Sequence, residues 1–307
     1  MSGETIRREH PWRRWAFAAI PAAGLLELGA HAAQVASVAP ERDWNAARDY
    51  VATQAKEEDL VAFAPSWADP IGRQRFGPEM ATIEREARAD ESRFPRAFEV
   101  AIRGAHVSGL RGWRRAGERR FGGVTVTTWE NPAPVRVIDD LVSAVGPERT
   151  RVSFGDRDCP FVHTSPQSGG LGFGPAVPAD RFACPGGAFV GVSVVADLDY
   201  VPRRCIYAPP ANGGVLRVRF AGVRFGRSLY GHHALYVEAE RTKQGAPVTI
   251  AFSVGSAVVG SVVHRDGDGW KPFELDTAEM AGRQGDLTAE ITSSGDRRMY
   301  CFEVTTR

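Results

Sequence analysis

From about Phe189 onward the chain alternates apolar and polar residues with a period of two, which restricts it to strands that bury one face. Leu216, Val218 and Phe220 alternate with Arg217 and Arg219. Val248, Ile250, Phe252 and Val254 repeat the pattern, as do Leu287, Ala289 and Ile291. Leu235, Val237 and Ala239, interleaved with Tyr236, Glu238 and Glu240, predict a further strand. Turn residues separate these runs: Asn212-Gly213-Gly214, Gly245, Asp266-Gly267-Asp268-Gly269 and Ser294-Gly295-Asp296. About six to nine short strands at such spacing predict an antiparallel, jelly-roll-like β-sandwich over residues 147–307, with its first and last strands adjacent.

Residues 41–146 mix periods instead. Asp43 is placed to cap a helix through Trp44, Ala47, Tyr50 and Val51, and Leu60–Ala64, ended by Pro65, suits a buried strand. Further helices are expected at 79–89, 110–118 and 137–145, and strands at 97–102 and 123–129. Helix and strand in alternation predict a small α/β domain. The fold class is therefore α+β, in two domains. The stretch 165–178, with Gly169, Gly170, Gly172 and Gly174, matches no G-x-G-x-x-G pattern and predicts a loop.

Four cysteines fall in the second half with no C-x-x-C spacing, which favours disulfides over a metal site. In strand phase, Cys205 opposes Ile206, and Cys301 opposes Phe302 and Val304. Two outward cysteines on neighbouring strands meet the Cα separation of about 5.5–6 Å that a disulfide needs. The predicted pairs are Cys205–Cys301 and, by remainder, Cys159–Cys184.

Residues 1–40 predict an address. Arg7, Arg8, Arg13 and Arg14 precede the apolar run Ala16–Leu26, which Glu27, His31 and Gln34 then dilute. That run falls short of the roughly 20 residues needed to span a bilayer core, but it suits a signal-peptide core. Ala30-His31-Ala32 supplies a small-x-small cleavage pattern. A cleaved signal or an uncleaved anchor would each place the body outside the cytoplasm.

Lys+Arg 38 against Asp+Glu 37 leaves a net charge of +1, so no global field favours nucleic acid. The chain contains no G-x-S-x-G, H-E-x-x-H or P-loop sequence, and no cofactor or metal is expected. Asp266 and Asp268 could offer oxygens to a cation, although the EF-hand pattern is not completed; a tight hairpin explains them as well. Trp270 is placed to offer an indole face to a sugar, with Tyr230, His232, His233 and Tyr236 as a second polar-aromatic patch; plain core packing with one polar atom satisfied is the favoured alternative. Adjacent His232 and His233 point to opposite faces of a strand and cannot share a metal. Asp69 and Arg73 follow the carboxyl end of Leu60–Ala64, where α/β sheets place ligands. Arg111, Arg114, Arg115, Arg119 and Arg120 around Trp113 predict a solvated helix face, with lipid headgroups as the other reading.

The segments Asp43–Val51 and Glu58–Pro65 resemble the start of the extracytoplasmic C-terminal domain of multi-pass polyprenyl-phosphate-sugar-dependent glycosyltransferases. The likeness covers about residues 40–70, and more loosely 40–146. The family's catalytic acidic residues lie between early membrane helices that this chain lacks, so the resemblance implies an accessory domain and no catalytic residue. The sandwich half is similar, in architecture alone, to carbohydrate-binding jelly rolls. The function these readings favour is a non-catalytic, exported or membrane-anchored protein. Its expected partner is a glycan, a glycolipid or a membrane protein. The alternatives are a carbohydrate-active enzyme using Asp266 with Asp268 or Asp197 with Asp199, and a purely structural envelope protein.

Overall fold

The structure is a computed structural model, and it describes residues 12–36, 38–170, 174–210, 213–295 and 298–307. Arg7, Arg8, Gly172, Asn212 and Asp296, named above, lie outside the described residues. The first element is a helix, α1 (Trp12–Ala36), with Pro21 inside it. It leaves Phe17, Ile20, Leu25, Leu26 and Leu28 exposed, Phe17 by 84%. No helix among the described residues is long and apolar enough to cross a membrane.

Next comes a small α/β unit. It comprises α2 (Glu41–Gln54), β1 (Leu60–Ala64), α3 (Asp69–Phe76), α4 (Ile83–Glu86), β2 (Arg96–Ile102), β3 (Arg114–Phe121) and β4 (Val124–Glu130). The sheet order is β1-β2-β4-β3, with β1 parallel to β2 and the other pairs antiparallel. Trp44, Ala47 and Val51 of α2 pack onto Val61, Phe63, Phe98 and Val100. The other face holds Leu60, Ala62 and Ala97 under Phe94 and Leu110. Because β1 is covered on both faces, its five residues are all buried, as a continuous apolar run requires. Gly72 lets α3 approach β1, because a Cβ there would lie 2.2 Å from the Phe63 ring.

Several local expectations need correction. Pro40, not Asp43, stands at the N-cap of α2, and the Asp43 carboxylate accepts from the Gly123 amide at 2.8 Å instead. The helix expected at 79–89 is only α4, capped by Thr82. The arginine-rich stretch read as a helix face is the edge strand β3, almost wholly exposed. Exposed on both faces, it shows no apolar period to read, and its charges blunt an edge that would otherwise pair with other chains. The helix expected at 137–145 is a short strand, β5 (Asp139–Asp140), followed by a turn. Leu141, Val142 and Ala144 of that turn enter the sandwich core.

The sandwich adds β6 (Thr150–Phe154), β7 (Arg157–Cys159), β8 (Phe161–His163), β9 (Asp180–Ala183), β10 (Phe189–Ala196), β11 (Pro202–Tyr207) and β12 (Leu216–Arg224). It continues with β13 (Ser228–Leu235), α5 (Val237–Thr242), β14 (Val248–Val254), β15 (Ala257–His264), β16 (Lys271–Asp276), β17 (Gln284–Ser293) and β18 (Tyr300–Thr306). One sheet runs β16-β13-β18-β11-β10-β9-β8, with β5 also on β18; the other runs β15-β14-β17-β12-β6-β7. Every ladder in both sheets is antiparallel; the first strand within 147–307, β6, pairs with β12 and β7 and not with β18 as expected, and it is β5, from the preceding segment, that pairs with β18 through Asp140 and Thr305. Leu216, Val218, Phe220, Ile250, Phe252, Leu287, Ala289 and Ile291 fill the space between the sheets with Ile206, Leu229 and Phe302.

The alternation is interrupted after Leu235, where α5 replaces the expected strand. Glu240 turns inward from this helix, fully buried, and accepts from the amides of Leu235 at 3.1 Å and Gly267 at 2.7 Å. Two disulfides staple the domain. Cys205–Cys301 joins β11 to β18 with a Cα separation of 5.8 Å. Cys159–Cys184 ties β7 at the edge of one sheet to the segment after β9 in the other, at 4.6 Å. Cys205 and Cys301 face away from the main core yet are fully buried, in a second cluster with Val195, Tyr207, Tyr236 and Val237.

Candidate functional site

Strand phase places Tyr230 and His232 on the outer face of β13, two residues apart, and the structure brings Trp270 beside them. The His232 imidazole stacks on the Trp270 ring at 5.3 Å and meets Tyr230 edge-on at 5.4 Å. Arg203 lies over the indole and Arg307 over the Tyr230 ring. Glu303 of β18 accepts from His232 at 2.7 Å. Trp270, anticipated alone, and Tyr230 and His232, anticipated in a second patch, are thus one constellation, whereas His233 and Tyr236 of that patch lie elsewhere.

That constellation faces the α/β unit. Trp270 Nε1 donates to the Ala89 carbonyl at 2.9 Å, Arg203 donates to Arg88 O at 3.0 Å, and the Arg204 amide donates to Ala87 O at 2.6 Å. Arg307 reaches the Asp90 carboxylate at 3.2 Å and the Ser92 hydroxyl at 3.1 Å. The segment 87–92 is therefore laid across the aromatic row. The space left there, lined by Arg88, Asp90, Glu303 and Arg307 among others, is about 40 Å³. This is room for a few waters but not for a sugar ring. Of the two readings of Trp270, sugar platform and plain packing with its one polar atom satisfied, the contacts here are those of packing, a joint between the sandwich and the 87–92 segment.

The junction also shifts its carboxyls in opposite directions. Burial pushes Glu303 up, opposed by its bond to His232. Burial acts the same way on Asp90, but the Ser92 hydroxyl and the Arg307 guanidinium outweigh it and hold Asp90 below the usual carboxylate range. Trp270→Ala is expected to leave the sandwich folded while the 87–92 segment loosens. Limited proteolysis would then cut there faster than in the wild type, and equal cutting rates would refute the joint.

The other anticipated residues are held by the protein itself. Asp266 accepts from the Gly245 amide at 2.7 Å and pairs with Arg298; Asp268 accepts from the Arg265 amide at 3.1 Å and Lys271 at 2.9 Å. Their turn is not a hairpin, because β15 and β16 belong to different sheets. Asp197 is buried and accepts from the amides of Asp199 and Val201 and from Arg203. It sits past the end of β10, so Asp197 and Asp199 do not share a strand face. Asp69 pairs with Arg73 at 2.8 Å within α3, which Asp69-Pro70 begins. Nearby, burial raises Glu86 to about 7, with Arg88 opposing and Asp69 adding to the rise. No group of three or more His, Cys, Asp or Glu side chains that could hold a metal occurs among the described residues.

Behind β13 lies a buried polar network that the sequence did not reveal. His233 bonds the Tyr300 hydroxyl at 2.9 Å, and His264 Nε2 bonds Glu240 at 2.6 Å, with the two imidazoles edge-to-face at 4.9 Å. Burial, then the neighbouring His264, pull His233 down to about 3 from 6.5. The folded protein thus keeps His233 neutral, while the unfolded chain protonates it below its ordinary value. Its contribution to stability is complete above about pH 6.5 and falls as pH drops toward 3, by about 1.4 kcal/mol per pH unit. Glu86 acts in the opposite sense between its ordinary value and about 7, so the comparison must isolate one group. In urea unfolding between about pH 6 and 4, His233→Gln is expected to lack this slope.

An open cleft lies elsewhere on the outer face. Gly169, Gly170, Gly174, Val194, Ala196, Pro202, Tyr200 and Tyr236 line a space of about 320 Å³. Tyr236 closes one wall by donating to Gly170 O at 2.9 Å. Tyr200 is 48% exposed and holds φ +61°, a left-handed conformation that non-glycine residues adopt rarely and that clusters at ligand sites. The Arg241 guanidinium lies over its ring at 4.4 Å. Sequence reasoning did not select Tyr200; the turn Asp197–Tyr200 between two apolar runs was the available signal.

No known family model matches the chain, and no curated protein matches it. Among solved structures, it is similar to a xylan-binding module CBM15 at 8% identity, over 56% of this chain and 95% of that one, with a TM-score of 0.26. A family 11 carbohydrate-binding module of the cellulosomal cellulase Lic26A-Cel5E of Clostridium thermocellum gives 9%, 56%, 93% and 0.26. The glycoside hydrolase domain of Endo-D from Streptococcus pneumoniae R6 gives 14% identity and a TM-score of 0.26, over 39% of this chain and a fifth of that one (20%). At such scores the likenesses carry no argument about ligand or activity. Nothing in these comparisons supports the glycosyltransferase resemblance of residues 40–70.

Proposed function

We propose that this chain is an exported, non-catalytic protein that binds a glycan or the sugar head of a glycolipid through the Tyr200 cleft. The observation that carries this reading is an exposed tyrosine ring, fixed in a left-handed turn, at the mouth of an apolar cleft on a rigid sheet. Sugars present a C–H face that stacks on such a ring, and a cleft of this volume is within the usual range of about 300–1,000 Å³ for ligand sites. Two disulfides and no free cysteine suit an oxidising compartment. The exposed apolar side of α1, unpacked against the rest of the chain, suits a segment read by the export machinery or held at a membrane surface. Of the carboxylates named for a catalytic alternative, Asp197, Asp266 and Asp268 are engaged by amides, arginines and a lysine, and Asp199 is exposed.

The test is a glycan array probed with the secreted full chain, its Tyr200→Ala variant and its Trp270→Ala variant. The wild type is expected to bind at least one glycan, Tyr200→Ala to lose about tenfold or more in affinity, and Trp270→Ala to keep its signal. A wild type that binds nothing, or a Tyr200→Ala variant that binds equally well, overturns the proposal. Sequencing the exported protein's N-terminus decides the fate of α1. A start at Ala33 means cleavage after Ala32, and an intact start means an anchor.

A further inference from the structure

A second cleft, of about 540 Å³, opens at one end of the sandwich. Four segments form it: the end of β12 and its turn at Arg224–Arg227, the approach to β17 at Ala281–Gln284, the strap Arg136–Ile138 leading into β5, and Arg307 after β18. Its backbone frame is fixed by four bonds. The Phe225 amide donates to Arg283 O and the Gly282 amide to Phe225 O, both at 2.9 Å. The Thr277 amide donates to Arg227 O at 2.8 Å and its hydroxyl to Gly226 O at 2.9 Å. Ile138, Phe225 and Ala281 give it an apolar lining.

Five arginines line this cleft, with no aspartate or glutamate among the lining residues. Two of them are occupied: Arg307 by Asp90 and Ser92, and Arg224 by the Ile138 carbonyl at 2.8 Å. Arg136, Arg227 and Arg283 are exposed, and their guanidinium groups bond no described residue. Arg136 also borders a separate recess with Glu57 and Glu58, but Asp139, the carboxylate beside the strap, does not neutralise the three. Asp139 is gripped by both nitrogens of Arg149, at 3.2 and 2.9 Å, and accepts from the Arg224 amide at 3.2 Å. In a chain of net charge +1, this is a local excess of positive charge around an apolar recess.

We propose that this cleft binds a phosphate group carried on an apolar or sugar body, with Arg136, Arg227 and Arg283 as its ligands. The planar guanidinium fork matches phosphate oxygens two at a time, and several forks converging on one recess repel one another until an anion neutralises them. The apolar lining receives the group to which the phosphate is attached. The phosphate could be presented by a lipid headgroup or by a free phosphorylated sugar, and the chemistry of recognition is the same. The proposal is independent of the Tyr200 cleft.

The test uses the full chain with three probes: inorganic phosphate and glucose 1-phosphate by calorimetry, and phosphatidylcholine vesicles with or without phosphatidic acid by cosedimentation. At least one phosphate probe is expected to bind, more weakly as salt is raised. Arg227→Gln combined with Arg283→Gln is expected to weaken binding about tenfold or more. The three side chains have no partner within the described fold, so melting temperatures should be unchanged. If the double variant nevertheless unfolds, Arg136→Gln on the strap provides the same readout. Arg219→Gln, whose side chain pairs with Asp286, should bind as the wild type does. Binding to vesicles alone identifies a lipid headgroup; binding to the soluble probes identifies a free phosphate ester. Absence of binding to every probe, or binding that the arginine variants leave unchanged, overturns the proposal.

Discussion

Removing the Cys205–Cys301 disulfide, by Cys205→Ser with Cys301→Ser, is expected to lower the stability of the sandwich by about 4–5 kcal/mol. The bridge closes a loop of 96 residues that contains β12 to β17. Cross-linking a loop of that length takes most of its conformational freedom from the unfolded chain. The sulfurs lie in a sealed cluster between β11, β18 and α5, so two hydroxyls left there would also lack water. For a domain of this size the loss corresponds to about 10–15 °C in Tm. Cys159–Cys184 closes only 25 residues, and its removal is expected to cost about 3 kcal/mol. Calorimetry of the two double variants should rank them in this order. Equal shifts would show that loop entropy does not govern the effect.

Glu240→Ala is expected to be nearly as damaging. One buried carboxylate receives three donors: the Leu235 amide, the Gly267 amide and His264 Nε2. Truncation leaves the Leu235 amide and His264 unpaired in the interior, at about 1–3 kcal/mol each, and takes the acceptor from the partly exposed Gly267 amide, so a total of about 3–5 kcal/mol is expected. The same change frees the Asp266–Gly269 turn from α5, so protection of the Gly267 amide should fall earliest in hydrogen exchange. Glu240→Gln keeps an acceptor in place and should recover part of the loss in urea melts. If it is no better than alanine, the negative charge rather than hydrogen bonding holds the network.

Glu240 also shows where sequence reading stops. Along β12, β14 and β17 the inward residues are apolar and the outward ones, the small Ala221 and Ala251 apart, are mostly polar, so the local pattern and the tertiary environment carry the same information. Past Leu235 the alternation persists on paper, but the buried member is an acid whose partners lie 5, 24 and 27 residues away. No periodicity encodes those partners. The edge strand β3 is opaque for the opposite reason: nothing buries either face, so a strand and a solvated helix look alike in sequence. Strand phase and cysteine type together point to the partners joined across β11 and β18. Tyr230 and His232 were readable as neighbours because they share a strand face, but Trp270 was read apart from them. Their use was not readable, since the carbonyl that meets the indole is 181 residues away. Tyr200 stands out only through its backbone angle and its exposure, and neither leaves a trace in composition.

The strand β18 is buried along its whole length and pairs with β13, β11 and β5. Its pairing with β5 brings the opening and closing segments of the domain together, so the central position of one sheet stays vacant until residues 300–306 arrive. Everything synthesised before them lacks its template strand, and such far-separated pairings fold slowly. The sheet therefore cannot close strand by strand along the chain; it closes in one long-range step, when residues 300–306 enter between β13 and β11.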